Sequence, residues 1–502
     1  MKIIFFHYLL FSYIIYLHGF IFLKKILRLK QINDFYEVSL IGLIITITIA
    51  QFLNFFIPLN DYLLIFNIIL LIIYTIFSHK ILINSFKLNI KIFVILVIVS
   101  LFNIYGSGFS DDINHYHFSY ITNTDVNNFI WGNSHLHPLY GTEPTWLVGH
   151  SYFNFDEFRL QDIHVLNGII LFLVLGCFFS ELYLNNKKKF YFPILFSIIL
   201  FILLKYTRLK EFGIDRPSTL IFCFLIYFYC KYFLDFNKKD ITQNFIIISL
   251  LAIFIFSIKI IYLPILFFPL IIFFRNKTIL LKKRLSYLII LAPILVFIMK
   301  NLLGSGCLIY PVSSTCIEFF PWSNLTGTKE WSIATEIFNK SWHSYTGDLS
   351  KESYIQNFNW FMTWFERGKV EIFELFLTAF LTMIITFILF DFNSKKNLSV
   401  NMNIKDLKII LFSIIIFSSI VYFFKNPVIR MNHFTVISLM ILMISLTFRF
   451  DINKHKTKFV SIILFIGLLF NLSKNLQRIY DNNFVNNPYR MISEKVTKQK
   501  KK

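Results

Sequence analysis

Long apolar runs recur about every 30 residues along the chain, and each can cross the hydrocarbon core of a bilayer, about 30 Å thick, as a helix. In lipid, only helices and closed barrels satisfy every backbone polar group, and these runs lack the alternating pattern of barrel strands. With 56% hydrophobic residues, 15% charged residues and a mean hydropathy of +0.64, the chain is too apolar for a soluble domain. We therefore predict an all-α, polytopic transmembrane helix bundle.

The runs predict about fourteen crossings in a single bundle over residues 1–473, followed by a short basic tail, 474–502. The first run has no small-residue cleavage site before Lys24, so we expect a retained helix and not a cleaved signal peptide. The predicted helices are 3–23, 38–57, 61–78, 91–106, 163–183, 190–206, 218–234, 243–257, 259–274, 285–300, 371–390, 408–424, 434–448 and 458–473.

The net charge of +21 lies in short Lys and Arg clusters between the apolar runs. Such clusters form no continuous basic face, so nucleic acid is excluded as a partner, and they mark the cytoplasmic loops of a membrane protein. The other side then receives the segments 106–162, 205–217 and 300–369, of which the first and third are large extracytoplasmic loops. We expect a multi-pass protein of the bacterial plasma (inner) membrane. Counting the crossings puts the basic tail on the outer side, although the charge rule predicts a cytoplasmic position for a basic segment.

The apolar run 243–274 sets the parity of this topology. As one helix it would be about 48 Å long, which exceeds the bilayer. A break near Lys259 or Pro264 makes a hairpin, which keeps the basic loop 275–284 in the cytoplasm. We therefore expect two helices here.

Five cysteines are too few for a disulfide scaffold. Cys177, Cys223 and Cys230 lie in apolar runs and are expected to be small buried hydrophobic residues. Cys307 and Cys316 share one polar loop and can form a local disulfide if that loop is extracytoplasmic.

The segment 106–162 gathers carboxylates and imidazoles between apolar runs. On a short helix Asp111 faces His115 and Asp112 faces Tyr116, because each pair is four residues apart. A carboxylate beside an imidazole suits a general base or a metal ligand, so one expectation is a loosely held Mg²⁺ or Mn²⁺ at Asp111, Asp112 and His115. Helix capping with solvated loop charge is the alternative.

The segment 205–217 is basic, against the charge bias that orients the chain. Arg208 and Arg216 can each bind a phosphate group through two hydrogen bonds, and anchoring to anionic lipid is the alternative. Arg430 repeats the pattern at another outer turn. The tryptophans of 300–369 predict either an aromatic belt at the membrane surface or a sugar-stacking surface.

Short motifs follow one another in order between about residue 106 and Arg430. An Asp-x-x-x-Tyr-His start and a Gly-Asn-x-His element precede Gly-x-Asp-x-Pro-like, Gly-x-x-x-Tyr-Pro and Pro-x-x-Arg turns. This order resembles the GT-C superfamily of polytopic glycosyltransferases that use lipid-linked phosphosugars and, more narrowly, a group of bacterial envelope membrane proteins. The matching positions are Asp112, Tyr116, His117, Gly132, Asn133, His135, Asp215, Pro217, Gly306, Tyr310, Pro311, Pro427 and Arg430.

The resemblance implies a catalytic or metal-binding role for Asp112, with Asp111, and a phosphate-facing role for Arg430 or Arg208. It implies a glycosyltransferase of polysaccharide biosynthesis that moves a sugar from a polyprenyl-phosphate donor to a cell-envelope glycan or lipid acceptor on the outer face. The residues expected to bind substrate are Tyr116, His117, His135, Arg208, Asp215, Arg216, Tyr310 and Arg430.

Two other functions stay open at this stage. A surface-polysaccharide polymerase or ligase also has about a dozen helices and large outer loops, and it would rely more on external arginines than on Asp112. A transporter or flippase predicts ionisable residues within helices and broken helices at mid-membrane, and only Lys259 and the Pro264 region suggest these.

Overall fold

The computed structural model describes residues 2–29, 32, 34–106, 112, 116–142, 145–154, 165–184, 191–209, 212–234, 241–281, 285–341, 349–390, 401–446 and 456–481. Within these ranges the chain is helical and forms no strand, which confirms the predicted all-α class. Nine helices of the described chain are long and apolar enough to cross a membrane: Phe5–Ile26, Phe35–Asn54, Asp61–Ile83, Val165–Tyr183, Ile241–Ile258, Tyr287–Ser305, Phe361–Leu389, Ile404–Phe424 and Lys458–Asp481.

Each predicted helix overlaps a helix of the structure, although the number of crossings stays a prediction. The α-helices are α1 Lys2–Phe20, α2 Phe35–Asn54, α3 Asp61–Ser85, α4 Ile90–Tyr105, α5 Phe118–Val126, α6 Pro138–Thr142, α7 Thr145–Tyr152, α8 Val165–Leu184, α9 Phe192–Lys205, α10 Asp215–Tyr229, α11 Ile241–Ile258, α12 Phe267–Arg275, α13 Lys277–Leu280, α14 Leu285–Ser305, α15 Leu325–Lys340, α16 Lys351–Ile355, α17 Phe361–Leu389, α18 Asn401–Phe424, α19 His433–Leu446 and α20 Lys456–Asp481.

Three predicted boundaries between helix and loop are corrected. α10 already begins at Asp215, since an acidic residue in the first turn stabilises a helix N-terminus. α17 begins at Phe361 and spans about 43 Å, so its first turns extend into the predicted outer loop. α20 runs to Asp481, so the predicted tail starts inside a helix.

The first two helices cross with their backbones in contact. A Cβ atom at Gly19 would lie 1.9 Å from the Val38 carbonyl oxygen, and one at Gly42 would lie 1.8 Å from that of Ile15. Only glycine permits this approach, which is typical of packed membrane helices. Asp34 begins α2 by accepting hydrogen bonds from the Tyr36 and Glu37 amides.

The centre of the bundle is formed by α8, α9, α10 and α11, whose residues are almost all buried, whereas the side chains of α3 are mostly accessible. α11 ends at Ile258, Lys259 is extended, and a 3₁₀ helix, Ile260–Leu266, leads into α12, which packs back on α11. The predicted break near Lys259 is therefore confirmed.

The three segments predicted to be external meet at one end of the bundle. The Gly132 amide of the first segment donates to the Leu303 carbonyl of the third at 2.8 Å, and the His150 ring of the first lies 5.1 Å from the Phe212 ring of the second. Trp364 donates to the Pro427 carbonyl, and Arg478 donates to Thr207. We call this the site end. It carries every described residue that the sequence predicts to bind substrate.

Candidate functional site

The first and third segments are packed against each other at one side of the site end. Nε2 of His135 lies 2.7 Å from the Trp322 carbonyl oxygen, and the Tyr310 ring packs on Gly141, where a Cβ atom would approach it to 2.8 Å. His135 and Tyr310 thus join two loops in the structure. Their predicted contact with substrate stays a prediction.

The third segment is closed by the Cys307–Cys316 disulfide, which confirms the predicted pairing. Gly306 precedes it with φ +75°, in the left-handed region that favours glycine. Cys177, Cys223 and Cys230 are free and buried, as expected.

A cavity of about 380 Å³ opens between the helix ends at the site end. Its lining is rich in cationic side chains contributed by α9, α10, α20 and the turn before α19. The described residues that line it are Asn167, Lys205, Thr207, Arg208, Leu209, Gly213, Asp215, Arg216, Phe338, Asn339, Glu371, Glu374, Val428, Ile429, Arg430, His433 and Arg478. Three predicted arginines, Arg208, Arg216 and Arg430, therefore share one cavity.

Asp215 links the three elements at the base of this cavity. Its Oδ1 lies 2.6 Å from Nζ of Lys259, and its Oδ2 lies 3.4 Å from Nε of Arg430. The helix break at Lys259, the start of α10 and the 3₁₀ turn Ile429–Met431 are thereby held together. Since both partners of Asp215 are cationic, the cluster of these three groups keeps a net positive charge.

His117 lies beside this ion cluster and is 2% exposed. Burial lowers the pKa of His117 to about 4; the charges of Asp112 and Asp215 oppose this effect, and those of Lys259 and Arg430 add to it. Neither ring nitrogen has a hydrogen-bond partner in the described part of the chain. At neutral pH the imidazole is neutral and has a nitrogen lone pair that can accept a proton or hydrogen bond.

Asp112 belongs to the same neighbourhood. Burial by itself lowers the pKa of the Arg430 guanidinium, but Asp215 and Asp112 raise it above its usual value. Burial raises the pKa of Tyr116, and Asp112 acts in the same direction. Asp112 is therefore close enough to Arg430 and Tyr116 for its charge to act on both.

The predicted divalent cation depends on Asp111, Asp112 and His115. Asp111 and His115 lie outside the described residues, and those that are described contain no group of three His, Cys, Asp or Glu side chains that could hold a metal ion. The cation therefore stays a prediction.

A second, apolar groove of about 350 Å³ runs along α17 and α19. Glu371 and Glu374 of α17 and His433 at the start of α19 line the cavity. Residues in the following turns of the same two helices line the groove. Its described lining is Phe373, Phe376, Leu377, Ala379, Phe380, Met383, Val436, Leu439 and Met440. A basic cavity is thus followed by an apolar groove along one pair of helices.

In a comparison with protein families, the family described as a domain of unknown function (DUF8201) matches residues 1–434. The chain belongs to the DUF8201 family. The span matched to DUF8201 includes Asp112, Asp215 and Arg430 and ends before α20. No curated protein and no solved structure matches the chain.

Four basic side chains that line the cavity or pair with its Asp215 were not among the predicted site residues: Lys205, Lys259, His433 and Arg478. Lys259 was visible in the sequence as a lone charge inside an apolar run, which is a signal of function in a membrane helix. The sequence predicts that Arg478 belongs to the basic tail, and its place in the cavity follows from the length of α20.

Proposed function

We propose that this chain is an integral membrane glycosyltransferase that moves a sugar from a polyprenyl-phosphate donor to a cell-envelope glycan or lipid acceptor. The observation that carries the proposal is the basic cavity followed by an apolar groove along α17 and α19. An amphiphile with an anionic head and a long apolar tail fits both parts, because arginines bind phosphate and the groove covers hydrocarbon.

In the proposed reaction the acceptor hydroxyl oxygen attacks the anomeric carbon of the donor sugar. The bond between that carbon and the phosphate oxygen breaks, and the polyprenyl phosphate leaves with the electron pair. Asp112 takes the hydroxyl proton, a contribution of about 10² to 10⁴ in rate. Arg430, with Arg208 or Arg216, stabilises the charge that develops on the leaving phosphate.

The topology that fits this reaction has about fourteen crossings, with the site end on the outer face of a bacterial plasma membrane. The cavity then lies where a lipid-linked sugar and a surface glycan can both reach it. The groove on α17 and α19 lies at the depth of the acyl chains.

Replacement of Asp112 by Asn tests the base assignment. We expect turnover of a polyprenyl-phosphosugar by purified protein to fall about 10²-fold or more, with the folded fraction unchanged. The matched control is Glu352→Gln, an exposed carboxylate on α16 that does not line the cavity. Wild-type turnover in the Asp112→Asn protein would remove Asp112 from the chemistry.

The ion pair at the helix break favours a transporter or flippase as the second candidate. Lys259 and Asp215 lie 2.6 Å apart where α11 ends, and ionisable groups at broken helices are typical of transport sites. Proteoliposomes separate the two functions. Glycosyltransferase activity predicts loss of the sugar from a fluorescent lipid-linked phosphosugar when acceptor is added, whereas transport predicts its intact movement between leaflets.

A further inference from the structure

Three arginines line the cavity from three separate elements. Arg208 lies in the segment after α9, Arg216 is the second residue of α10, and Arg478 lies in the last turn of α20. The charge of Arg216 interacts with those of Arg208 and Arg478, and Arg478 also interacts with Arg208. We call these residues the arginine trio.

The backbone of the second segment fixes one member of the trio. Nη1 of Arg478 donates to the Thr207 carbonyl oxygen and lies 3.3 Å from Oδ1 of Asn475, while Nη2 lies 3.2 Å from the Thr207 hydroxyl. Because Thr207 directly precedes Arg208, these bonds keep two guanidinium groups together. Like charges repel, so this arrangement has a cost unless an anion offsets it.

A second member of the trio, the partly buried Arg216, has one buried nitrogen without a partner. Nη1 of Arg216 is inaccessible to solvent and has no hydrogen-bond partner among the described residues. A buried charged group that lacks a partner is costly. Because Arg216 also lines the cavity, a ligand bound there is well placed to accept hydrogen bonds from its guanidinium group.

The carboxylates of the cavity are engaged elsewhere. Asp215 pairs with Lys259 and Arg430, Glu374 lies 3.2 Å from Nζ of Lys205, and the charge of Glu371 acts on Arg430. Within the described chain, none of them forms an ion pair with the arginine trio. The trio therefore has no ion-pair partner among the described carboxylates that line the cavity.

We propose that the arginine trio is an anion subsite that binds a phosphate group, with Arg478 of the last helix as one of its ligands. Three guanidinium forks offer more donors than a carboxylate can accept, and they match the several oxygens of a phosphate ester. The inference deepens the proposed function and rests on it only for the lipid that carries the phosphate. Arg430, which pairs with Asp215, then faces the reacting end of the donor.

The subsite is tested by binding, which does not depend on transfer activity. Thermal unfolding of the full-length protein in dodecyl maltoside is followed during titration with inorganic phosphate or with n-dodecyl phosphate at constant ionic strength. We expect Arg216→Gln and Arg478→Gln each to weaken phosphate affinity by about tenfold or more, since each removes a charged hydrogen bond. The control is Lys474→Gln, which removes one exposed charge from the same helix outside the cavity.

Tighter binding of n-dodecyl phosphate than of inorganic phosphate supports a lipid-borne ligand, and equal binding supports free phosphate in the same subsite. Wild-type affinity in both variants overturns the subsite, and the proposed transferase still stands if Arg430→Gln loses affinity. If Arg478→Gln does not fold, Arg208→Gln takes its place in the comparison, because Arg208 is exposed. An effect of Lys474→Gln as large as that of the trio would also overturn the subsite, because it would show attraction by net charge alone.

Discussion

At the scale of single residues, Asp215 is the group on which the ion cluster depends. It is the common partner of Lys259 and Arg430, and its side chain is 15% exposed. Removal of one member of a buried ion pair leaves a charge without compensation, which costs more than the pair itself contributes. Asp215 therefore stabilises the site end as well as lining the cavity.

Asp215→Asn is expected to lower the free energy of unfolding by about 3 to 5 kcal/mol, because it leaves two partly buried cations without their counter-ion. Denaturant unfolding in detergent measures this loss. Glu374→Gln is the matched control: it breaks the pair with Lys205 in the same cavity, but Glu374 is 60% exposed and should cost about 1 kcal/mol or less. Equal losses of unfolding free energy in the two variants would contradict the expectation that breaking the buried Asp215 cluster costs more than breaking an exposed ion pair.

Residue types in the sequence predicted part of this site. Asp215, Arg208, Arg216 and Arg430 stood out as charges at the ends of apolar runs, and the structure brings them to one cavity. Arg478 could not be found in this way, because a basic residue near a basic tail has the ordinary role of a solvated charge. Its place depends on where α20 ends and on which helix α20 packs against, and both are properties of the packed bundle.

At the scale of elements, the turn that carries Arg430 is held from the third segment. Nε1 of Trp364, at the start of α17, donates to the Pro427 carbonyl at 2.6 Å. Lys425 lies 2.7 Å from Glu336 of α15. The turn between α18 and α19 is therefore fixed by the third segment, which packs over it. Arg430 lies in this turn and is held in place with it.

Trp364→Phe removes the hydrogen bond to the turn but keeps an aromatic ring in place. We expect a loss of about 1 kcal/mol in stability and a severalfold weaker affinity for n-dodecyl phosphate, because Arg430 is held less firmly. Trp322→Phe is the control, since its indole also donates to a backbone carbonyl, that of Leu302 at 2.8 Å, away from Arg430. Equal phosphate affinities in the two variants would contradict a positioning role for Trp364.

The helices themselves were largely predictable, since each apolar run found by its length overlaps a helix. The break at Lys259 was also predictable, because a single helix over 243–274 is too long for a bilayer. The helices α5, α6, α7, α15 and α16 were not, since they lie in the polar loop sequences between the apolar runs. Their places follow from contacts between loops, such as that of His135 with Trp322.

At the scale of the whole molecule, the bundle has two chemically different ends. The site end has the disulfide and the cavity. The opposite end contains the Lys231 ion pairs with Glu37 and Glu181 and the Arg275–Asp406 pair, close to the basic segments of the sequence. The charge rule and the disulfide predict the same orientation of the bundle. Basic segments stay in the cytoplasm, and disulfides persist where the environment is oxidising, so both put the site end outside.

This polarity predicts which residues a reagent outside the cell can reach. In intact cells, a membrane-impermeant maleimide should label Phe319→Cys, whose position at the site end is 89% exposed. It should label Thr278→Cys, an exposed position in α13 at the opposite end, only after the membrane is permeabilised. The native free thiols Cys177, Cys223 and Cys230 are buried and give little background. Labelling of Thr278→Cys in intact cells, with Phe319→Cys protected, would invert the orientation and place the cavity in the cytoplasm, where the proposed acceptor on the cell surface could not reach it.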